Sequence, residues 1–333
     1  MTISIIAEAG VNHNGDINIA RELIDAAVEA GADMVKFQTF KADRLATQTA
    51  PKANYQIVQT GNVTSQFEML KKLELSEEMH ISLMKYSEEK KIEFISTAFD
   101  IESLQYLKKL GMRKFKLPSG EITNLPYLKE VGSFGNPLII STGMASLEEV
   151  QAAIQILEAA GTERDLMTVL HCTTEYPAPL ADVNLNAMQT MRKTLGINVG
   201  YSDHTMGLEV PIAAAALGAT IIEKHLTMDQ TLPGPDHKAS MTPKKFKEMV
   251  TCVRNIERAL GDGVKRVTES ELRNVESVRK SIVAAKTISI GETFSAQNLT
   301  VKRPGTGLSP MVWEDVIGRR ALKTFEKDEF IVI

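Results

Sequence analysis

Short apolar runs alternate with longer amphipathic segments along most of the chain. Residues 3–7 (Ile-Ser-Ile-Ile-Ala) read as a strand, and Asn14-Gly15-Asp16 as a turn with Asp16 in position to cap a helix. Ile17, Ala20, Leu23, Ile24, Ala27 and Val28 then recur at helical spacing, and Gly31 ends the run. The next strand is residues 34–37. The same unit recurs, with strands expected at 93–97, 114–117, Leu138–Ser141, Met167–His171, 198–201 and 220–223, and helices at 146–159 and Pro243–Leu260. Eight strands, each followed by a helix or a long connection, imply parallel pairing with crossovers. The pattern predicts a closed (β/α)8 TIM barrel, with a doubly wound open sheet as the competing arrangement.

Near Gly261-Asp262-Gly263 the rhythm changes. A charged helical stretch, 269–280, leads into strand candidates at 281–285, Leu299–Lys302 and 330–333, separated by Gly291, Pro304-Gly305 and Gly307. The expected division is a barrel over 1–262, a helical linker over 263–277 and a small β-rich domain over 278–333. There is no low-complexity segment and no repeat beyond the strand–helix rhythm.

Composition narrows the class. With 333 residues and 43% hydrophobic positions, the chain can bury a large core and a modest second domain. A net charge of −4 and a pI near 6.0 give no basic footprint for nucleic acid. Two cysteines, Cys172 and Cys252, make no disulfide framework, which fits a reduced, cytoplasmic setting. The apolar N-terminus lacks a basic region before it and reads as a buried strand, not a signal peptide. No run of about 18 uncharged apolar residues suggests a membrane span.

Barrel chemistry sits at the C-terminal ends of strands, and polar residues gather there. Glu8, Asn12 and His13 follow the first strand, Lys36 and Gln38 the second, and Ser96-Thr97 end the third. Lys116 runs into Ser119-Gly120-Glu121, and the fifth strand ends Ser141-Thr142-Gly143. The sixth ends His171 to Tyr176, the seventh Ser202-Asp203-His204 and the eighth Glu223-Lys224-His225. His204 and His225 end neighbouring strands in register. That pair either holds a divalent metal with open coordination positions or is two unrelated histidines, one satisfied by backbone and one exposed. His13 is a candidate third ligand. Lys36 and Lys116, with Ser119, Ser141 and Gly143, can cradle a phosphate, or they are simply strand-end lysines. A Schiff-base lysine is a rival reading, and Lys224 competes for it. Glu8, Glu121 and Asp236 are candidate general acids or bases, or structural acceptors.

Taken in order, Glu-Ala-Gly-Val-Asn-His-Asn-Gly (8–15), Lys-Phe-Gln (36–38), Phe-Ile-Ser-Thr (94–97), Lys-Leu-Pro-Ser-Gly-Glu (116–121), Ser-Thr-Gly-Met (141–144), His-Cys-Thr (171–173), Tyr-Ser-Asp-His-Thr (201–205), Glu-Lys-His (223–225) and Gly-Pro-Asp (234–236) resemble the sialic acid synthase family. Lys302-Arg303-Pro304-Gly305, following Asn298, resembles its antifreeze-like (SAF) domain. The resemblance covers essentially the whole chain. It implies a (β/α)8 barrel joined to a SAF domain, a domain-swapped homodimer, and Mn2+ or Mg2+ held by His204 and His225. It further implies phosphoenolpyruvate on Lys36, Lys116, Ser119 and Ser141 with Thr97 nearby. Glu8, Gln38, Tyr176 and Asp236 would face the sugar and a metal-bound water, Glu121 the water that attacks C2, and Arg303 of a partner chain the N-acetyl group of an N-acetylated aldose. Metal-assisted attack of phosphoenolpyruvate C3 on the aldehyde would then give a nine-carbon sugar acid and phosphate.

Thr174-Glu175-Tyr176 departs from the Asn-x-Tyr common in synthases of N-acetylneuraminate. With His-Cys-Thr-Thr-Glu-Tyr-Pro-Ala-Pro (171–179) and Gly-Pro-Asp-His-Lys-Ala-Ser (234–240), this chain looks more like the bacterial legionaminic acid synthases, which use 2,4-diacetamido-2,4,6-trideoxymannose. Thr174 thus joins the expected sugar contacts. The alternatives are an N-acetylneuraminate synthase acting on N-acetylmannosamine, a Schiff-base aldolase, an aldulosonate-type synthase of phosphorylated aldoses, and a non-catalytic sugar-binding protein. The full set of charged strand-end residues argues against the last, since binding alone does not need them all.

Overall fold

The computed structural model describes residues 2–61 and 63–333. Eight parallel strands close into a barrel: β1 (Ser4–Gly10), β2 (Met34–Thr39), β3 (Glu93–Ala98), β4 (Phe115–Leu117), β5 (Leu138–Ser141), β6 (Met167–His171), β7 (Asn198–Asp203) and β8 (Ile221–His225). Closure is what excludes the open sheet. β1 pairs with β8 from Ser4↔Ile221 to Glu8↔His225, leaving neither with a free edge. Leu-, Ile- and Val-rich strands and the apolar stripes of the outer helices form one continuous core around it. The first crossover helix, Ile17–Ala30, starts at Asp16, whose side chain accepts from Asn18 N, and stops at Gly31 in the left-handed region (φ 82°).

Some boundaries move. Backbone pairing carries β1 on to Gly10, β7 to Asp203 and β8 to His225, so that residues expected to follow the strands lie within them. Between β2 and β3 the chain inserts helices Asn54–Thr60 and Gln66–Lys71 before the crossover helix Glu77–Glu89. None of these was visible in the periodicity. The insertion packs through a small core of Val11, Phe40, Met69 and Leu73. No helix among the described residues is long and apolar enough to cross a membrane.

The chain divides into two compact units, one ending at Gly261 and the other starting at Asp262. The second opens with the exposed helix Glu269–Val278, stopping short of Lys280. It then builds an antiparallel pair, β9 (Ser281–Ala284) and β10 (Leu299–Lys302), over a core that includes Ile282, Ile288, Phe294, Leu299 and Phe325. The strand expected at 330–333 does not form. Phe330 makes a single bridge to Val283, Ile331 N donates to Ile282 O, and Val332 and Ile333 are exposed, so pairing stops short of a ladder.

Candidate active site

A cavity of about 310 Å³ opens among the C-terminal ends of the barrel strands. Its floor is a buried ionic network. Lys36 Nζ lies 2.7 Å from Glu8 Oε2 and donates to Thr97 Oγ1 at 2.9 Å. Lys116 Nζ donates to Ser141 Oγ at 2.5 Å. Between the two ammonium groups stands Glu223, with Oε1 3.8 Å from Lys36 Nζ and 3.7 Å from Lys116 Nζ, accepting from Ser202 Oγ at 3.0 Å. Gln38 Nε2 donates to Glu8 Oε1 at 3.1 Å. The strand period of two explains the gathering, because Lys36 and Gln38 share a face of β2, and Glu223 and His225 a face of β8.

Burial opposes every charge here, and the neighbours decide the outcome. Burial works against the Lys36 ammonium, but Glu223 and Glu8 hold it above the usual lysine range. Burial also works against the Glu223 carboxylate, but Lys116 and Lys36 keep it below its ordinary value. Lys116 is pushed down, chiefly by burial. Glu8 is pushed up by burial, with Glu223 adding to the effect against Lys36. The Asp236 carboxyl is raised to about 7, first by burial and then by Glu8.

His204 and His225 meet beside this network, ring centroids 5.4 Å apart. His204 Nδ1 lies 2.6 Å from Thr173 O, so that nitrogen carries the proton and Nε2 keeps its lone pair free. His225 Nδ1 is buried with no hydrogen-bond partner among the described residues, 3.9 Å from Asp236 Oδ2. Burial lowers His204 to about 4, and burial with His204 alongside holds His225 well below the usual histidine range. Two neutral imidazoles, one with a fixed tautomer and the other with an unsatisfied nitrogen, suit a divalent cation whose other ligands are water or substrate oxygens. Among the described residues no group of three His, Cys, Asp or Glu is arranged to hold a metal. His13 in particular does not join the pair. It is fully buried, its Nδ1 accepts from Gly15 N at 2.9 Å, and its ring packs toward Phe37 outside the cavity wall.

Tyr176 covers the histidines, centroids 4.1 Å from His204 and 5.6 Å from His225, and Tyr55 of the insertion lies 4.9 Å from Tyr176. On the opposite side, Ser119 Oγ accepts from Gly143 N at 2.9 Å and lies 3.4 Å from Cys172 Sγ. A Cβ at Gly143 would stand 2.1 Å from Thr174 Oγ1 and 2.9 Å from Ser119 Oγ, so glycine is what lets both hydroxyls pack this close. The Thr174 hydroxyl is itself buried without a partner among the described residues.

The structure therefore brings Glu8, Lys36, Gln38, Thr97, Lys116, Ser119, Ser141, Thr174, Tyr176, His204, His225 and Asp236 to one cavity. Three other candidates do not line it. Glu121 lies beyond the wall, in the short turn Ser119–Glu121, where its carboxylate takes the Asn124 amide at 2.5 Å and burial raises its pKa. Arg303 is exposed in the second unit. Lys224 points away from the cavity on the outward side of β8, where it is fully buried, 2.6 Å from Asp203 and bonded to Thr205 O, which removes it as a Schiff-base nucleophile. Missed from sequence were Glu223, although it shares its strand face with His225, and the insertion residues Tyr55, Gln56 and Gln66. The Ser-x-x-Glu box at Ser65 and Glu68, which does cap helix Gln66–Lys71, was the available signal for the insertion.

The sequence model of the NeuB family matches residues 23–265, and that of the SAF domain matches residues 279–332. The chain belongs to the NeuB family. Over 327 residues it is 50% identical to an N,N'-diacetyllegionaminic acid synthase of Campylobacter jejuni, covering 98% of each chain. It is 49% identical to a protein of the same name from Legionella pneumophila, over 96% of this chain and 90% of that one. The crystal structure of the N-acetylneuraminic acid (sialic acid) synthetase of Leptospira borgpetersenii superposes with a TM-score of 0.72 at 34% identity, over 83% of this chain and 91% of that one. In this NeuB-family chain the cavity lies wholly within the first unit, and the SAF domain forms the second.

Proposed function

We propose that this chain is a phosphoenolpyruvate-dependent N,N'-diacetyllegionaminate synthase, condensing phosphoenolpyruvate with 2,4-diacetamido-2,4,6-trideoxymannose and releasing phosphate. The observation that carries the reaction class is the pairing of two buried lysines and two serines with two neutral histidines in one cavity. The 50% identity over nearly the full length of a legionaminic acid synthase supports the sugar.

In this reading Lys36 with Thr97, and Lys116 with Ser119 and Ser141, bind the carboxylate and phosphate of phosphoenolpyruvate as charge-assisted hydrogen-bond donors. Glu223 keeps the two ammonium groups apart and oriented before substrate arrives. A divalent cation, Mn2+ or Mg2+, held by His204 and His225, supplies electrophilic polarisation of the aldehyde oxygen. Glu8, Gln38, Tyr176 and Asp236 orient the open-chain sugar so that its C1 faces C3 of phosphoenolpyruvate. The enol π pair forms the new C–C bond, and the aldehyde oxygen gains a proton. The cationic centre left at C2 is trapped by water, and the tetrahedral intermediate expels phosphate to leave the 2-keto acid. Glu121, which follows the cavity-lining Gly120 in the same short turn, would orient that water by exchanging its Asn124 amide for it. Arg303 acts on the N-acetyl group from the partner chain of a domain-swapped dimer, and the enzyme works in the cytoplasm.

The test is kcat/KM for two sugars under saturating phosphoenolpyruvate. N-acetylmannosamine lacks the 4-acetamido group and carries an extra 6-hydroxyl. Each mismatch leaves polar groups poorly paired, so its kcat/KM is expected to be lower by roughly tenfold to a few thousandfold. Equal or better use of N-acetylmannosamine transfers the assignment to an N-acetylneuraminate synthase.

A further inference from the structure

The cavity wall contributed by the insertion carries a preassembled hydrogen-bonding group with no role in the scheme above. Gln56 is its centre. Its Oε1 accepts from Ala53 N at 3.0 Å and from Gln66 Nε2 at 3.3 Å, and its Nε2 donates to the Tyr55 hydroxyl at 3.3 Å. Both lone pairs of that Oε1 are then used, and Gln56 is nearly fully buried. Gln56 thus fixes its two neighbours and leaves each with spare capacity. The Tyr55 proton has no acceptor among the described residues, and Gln66 Oε1 accepts nothing there. Burial raises the Tyr55 phenol far above its ordinary value, so the hydroxyl stays a neutral donor. Both residues line the cavity, next to the apolar side chains of Leu45, Met69, Leu70 and Leu73.

A neutral donor, a neutral acceptor and an apolar surface side by side make the complement of a secondary amide bearing a methyl group. The hydroxyl donates to the amide carbonyl, the glutamine oxygen accepts the amide N–H, and the apolar side chains receive the methyl. The cavity's ammonium groups are on the floor, already paired with carboxylates, so this wall does not recruit an anion. We infer that Tyr55 and Gln66, positioned by Gln56, form the subsite for the 4-acetamido group of the sugar. The inference rests on the sugar reading above and names the residues that enforce it. A site that pairs such an amide disfavours a sugar carrying a hydroxyl in its place, because the half-buried phenol and the Gln66 oxygen are then left poorly matched.

The experiment uses full-length Tyr55→Phe and Gln66→Met chains, with kcat/KM measured for 2,4-diacetamido-2,4,6-trideoxymannose and for N-acetylmannosamine at saturating phosphoenolpyruvate. Tyr55→Phe keeps the ring against Tyr176, and Gln66→Met keeps the length of the side chain. In each, kcat/KM for the diacetamido sugar is expected to fall about tenfold to a hundredfold. N-acetylmannosamine should change less than about threefold, and KM for phosphoenolpyruvate should not move. An unaltered sugar ratio in both variants, with the wild-type preference intact, overturns the subsite alone. A wild-type chain that favours N-acetylmannosamine overturns the sugar reading and the subsite with it.

Discussion

The cavity floor and the insertion wall solve the problem of buried polarity differently. On the floor, charges neutralise one another across strands: Glu223 on β8 bridges Lys36 on β2 and Lys116 on β4. The wall uses neutral amides, a phenol and apolar side chains carried on two helical turns outside the barrel ladder. Removing one member of a buried charge network strands its partner at high cost, whereas removing one neutral group costs a single hydrogen bond. The floor should therefore govern whether the reaction occurs, and the wall which sugar enters.

The strongest way to break this contrast is to test the proposed divalent cation. Exhaustive chelation, checked by elemental analysis, is expected to lower turnover by about a thousandfold or more, with Mn2+ restoring it. A His225→Ala chain should stay inactive and bind less than one equivalent of Mn2+ by paramagnetic resonance. Full turnover by verified metal-free protein would remove His204 and His225 from the metal role.

Lys116→Met tests the floor next. It leaves Glu223 with Lys36 alone and takes a donor from Ser141. We expect kcat/KM for phosphoenolpyruvate to fall on the order of a hundredfold to a thousandfold with little change in sugar preference. A shifted sugar ratio would mean that floor and wall are not separate functions.

A smaller signal comes from mixing chains. If the proposed swapped dimer forms, equal amounts of Arg303→Ala and His225→Ala chains should regain about a quarter of wild-type activity after subunit exchange, since half the dimers would be mixed and each would hold one intact composite site. No recovery despite exchange shown by mass spectrometry speaks against swapped domains.

The mildest effect is expected at Lys52, which holds the insertion loop by donating to Thr60 Oγ1, Gly61 O and Thr64 Oγ1, each at 2.9 Å. Lys52→Met should raise KM for the sugar about threefold to tenfold and leave KM for phosphoenolpyruvate unchanged. Equal shifts in both would show that the wall also shapes the floor.

The same contrast explains what could be read from the sequence. Floor residues sit where a strand ends, and apolar runs locate strands well, so Lys36, Lys116, Ser141, His204 and His225 could be placed before any coordinates. Glu223 was missed because candidate roles in Glu-Lys-His went to Lys224 and His225 alone, although the period of two that turns His225 inward turns Glu223 inward and Lys224 out. The wall left almost no trace. Helices of seven and six residues are too short for an apolar period to show, and their cavity-facing glutamines look like any surface glutamine. His13 misled for the opposite reason, since its place beside a strand end looked functional while its ring is taken up by the turn that starts the first crossover helix.

One crowded contact bears on how such an enzyme could change its substrate over evolutionary time. Thr174 Oγ1 lies so close to Gly143 that a single added carbon at 143 would collide with it. Position 143 already holds the smallest residue, so nothing there can shrink to make way for a bulkier neighbour. Thr174 lines both the cavity of the lysines and histidines and a second one bounded by Asp182 and Asn184, so extra volume at 174 grows into one of these two spaces, whereas serine, alanine or glycine there would only open them. If the first cavity holds the sugar as proposed, a lineage that shrinks residue 174 would admit larger substituents, and one that enlarges it toward that cavity would exclude them.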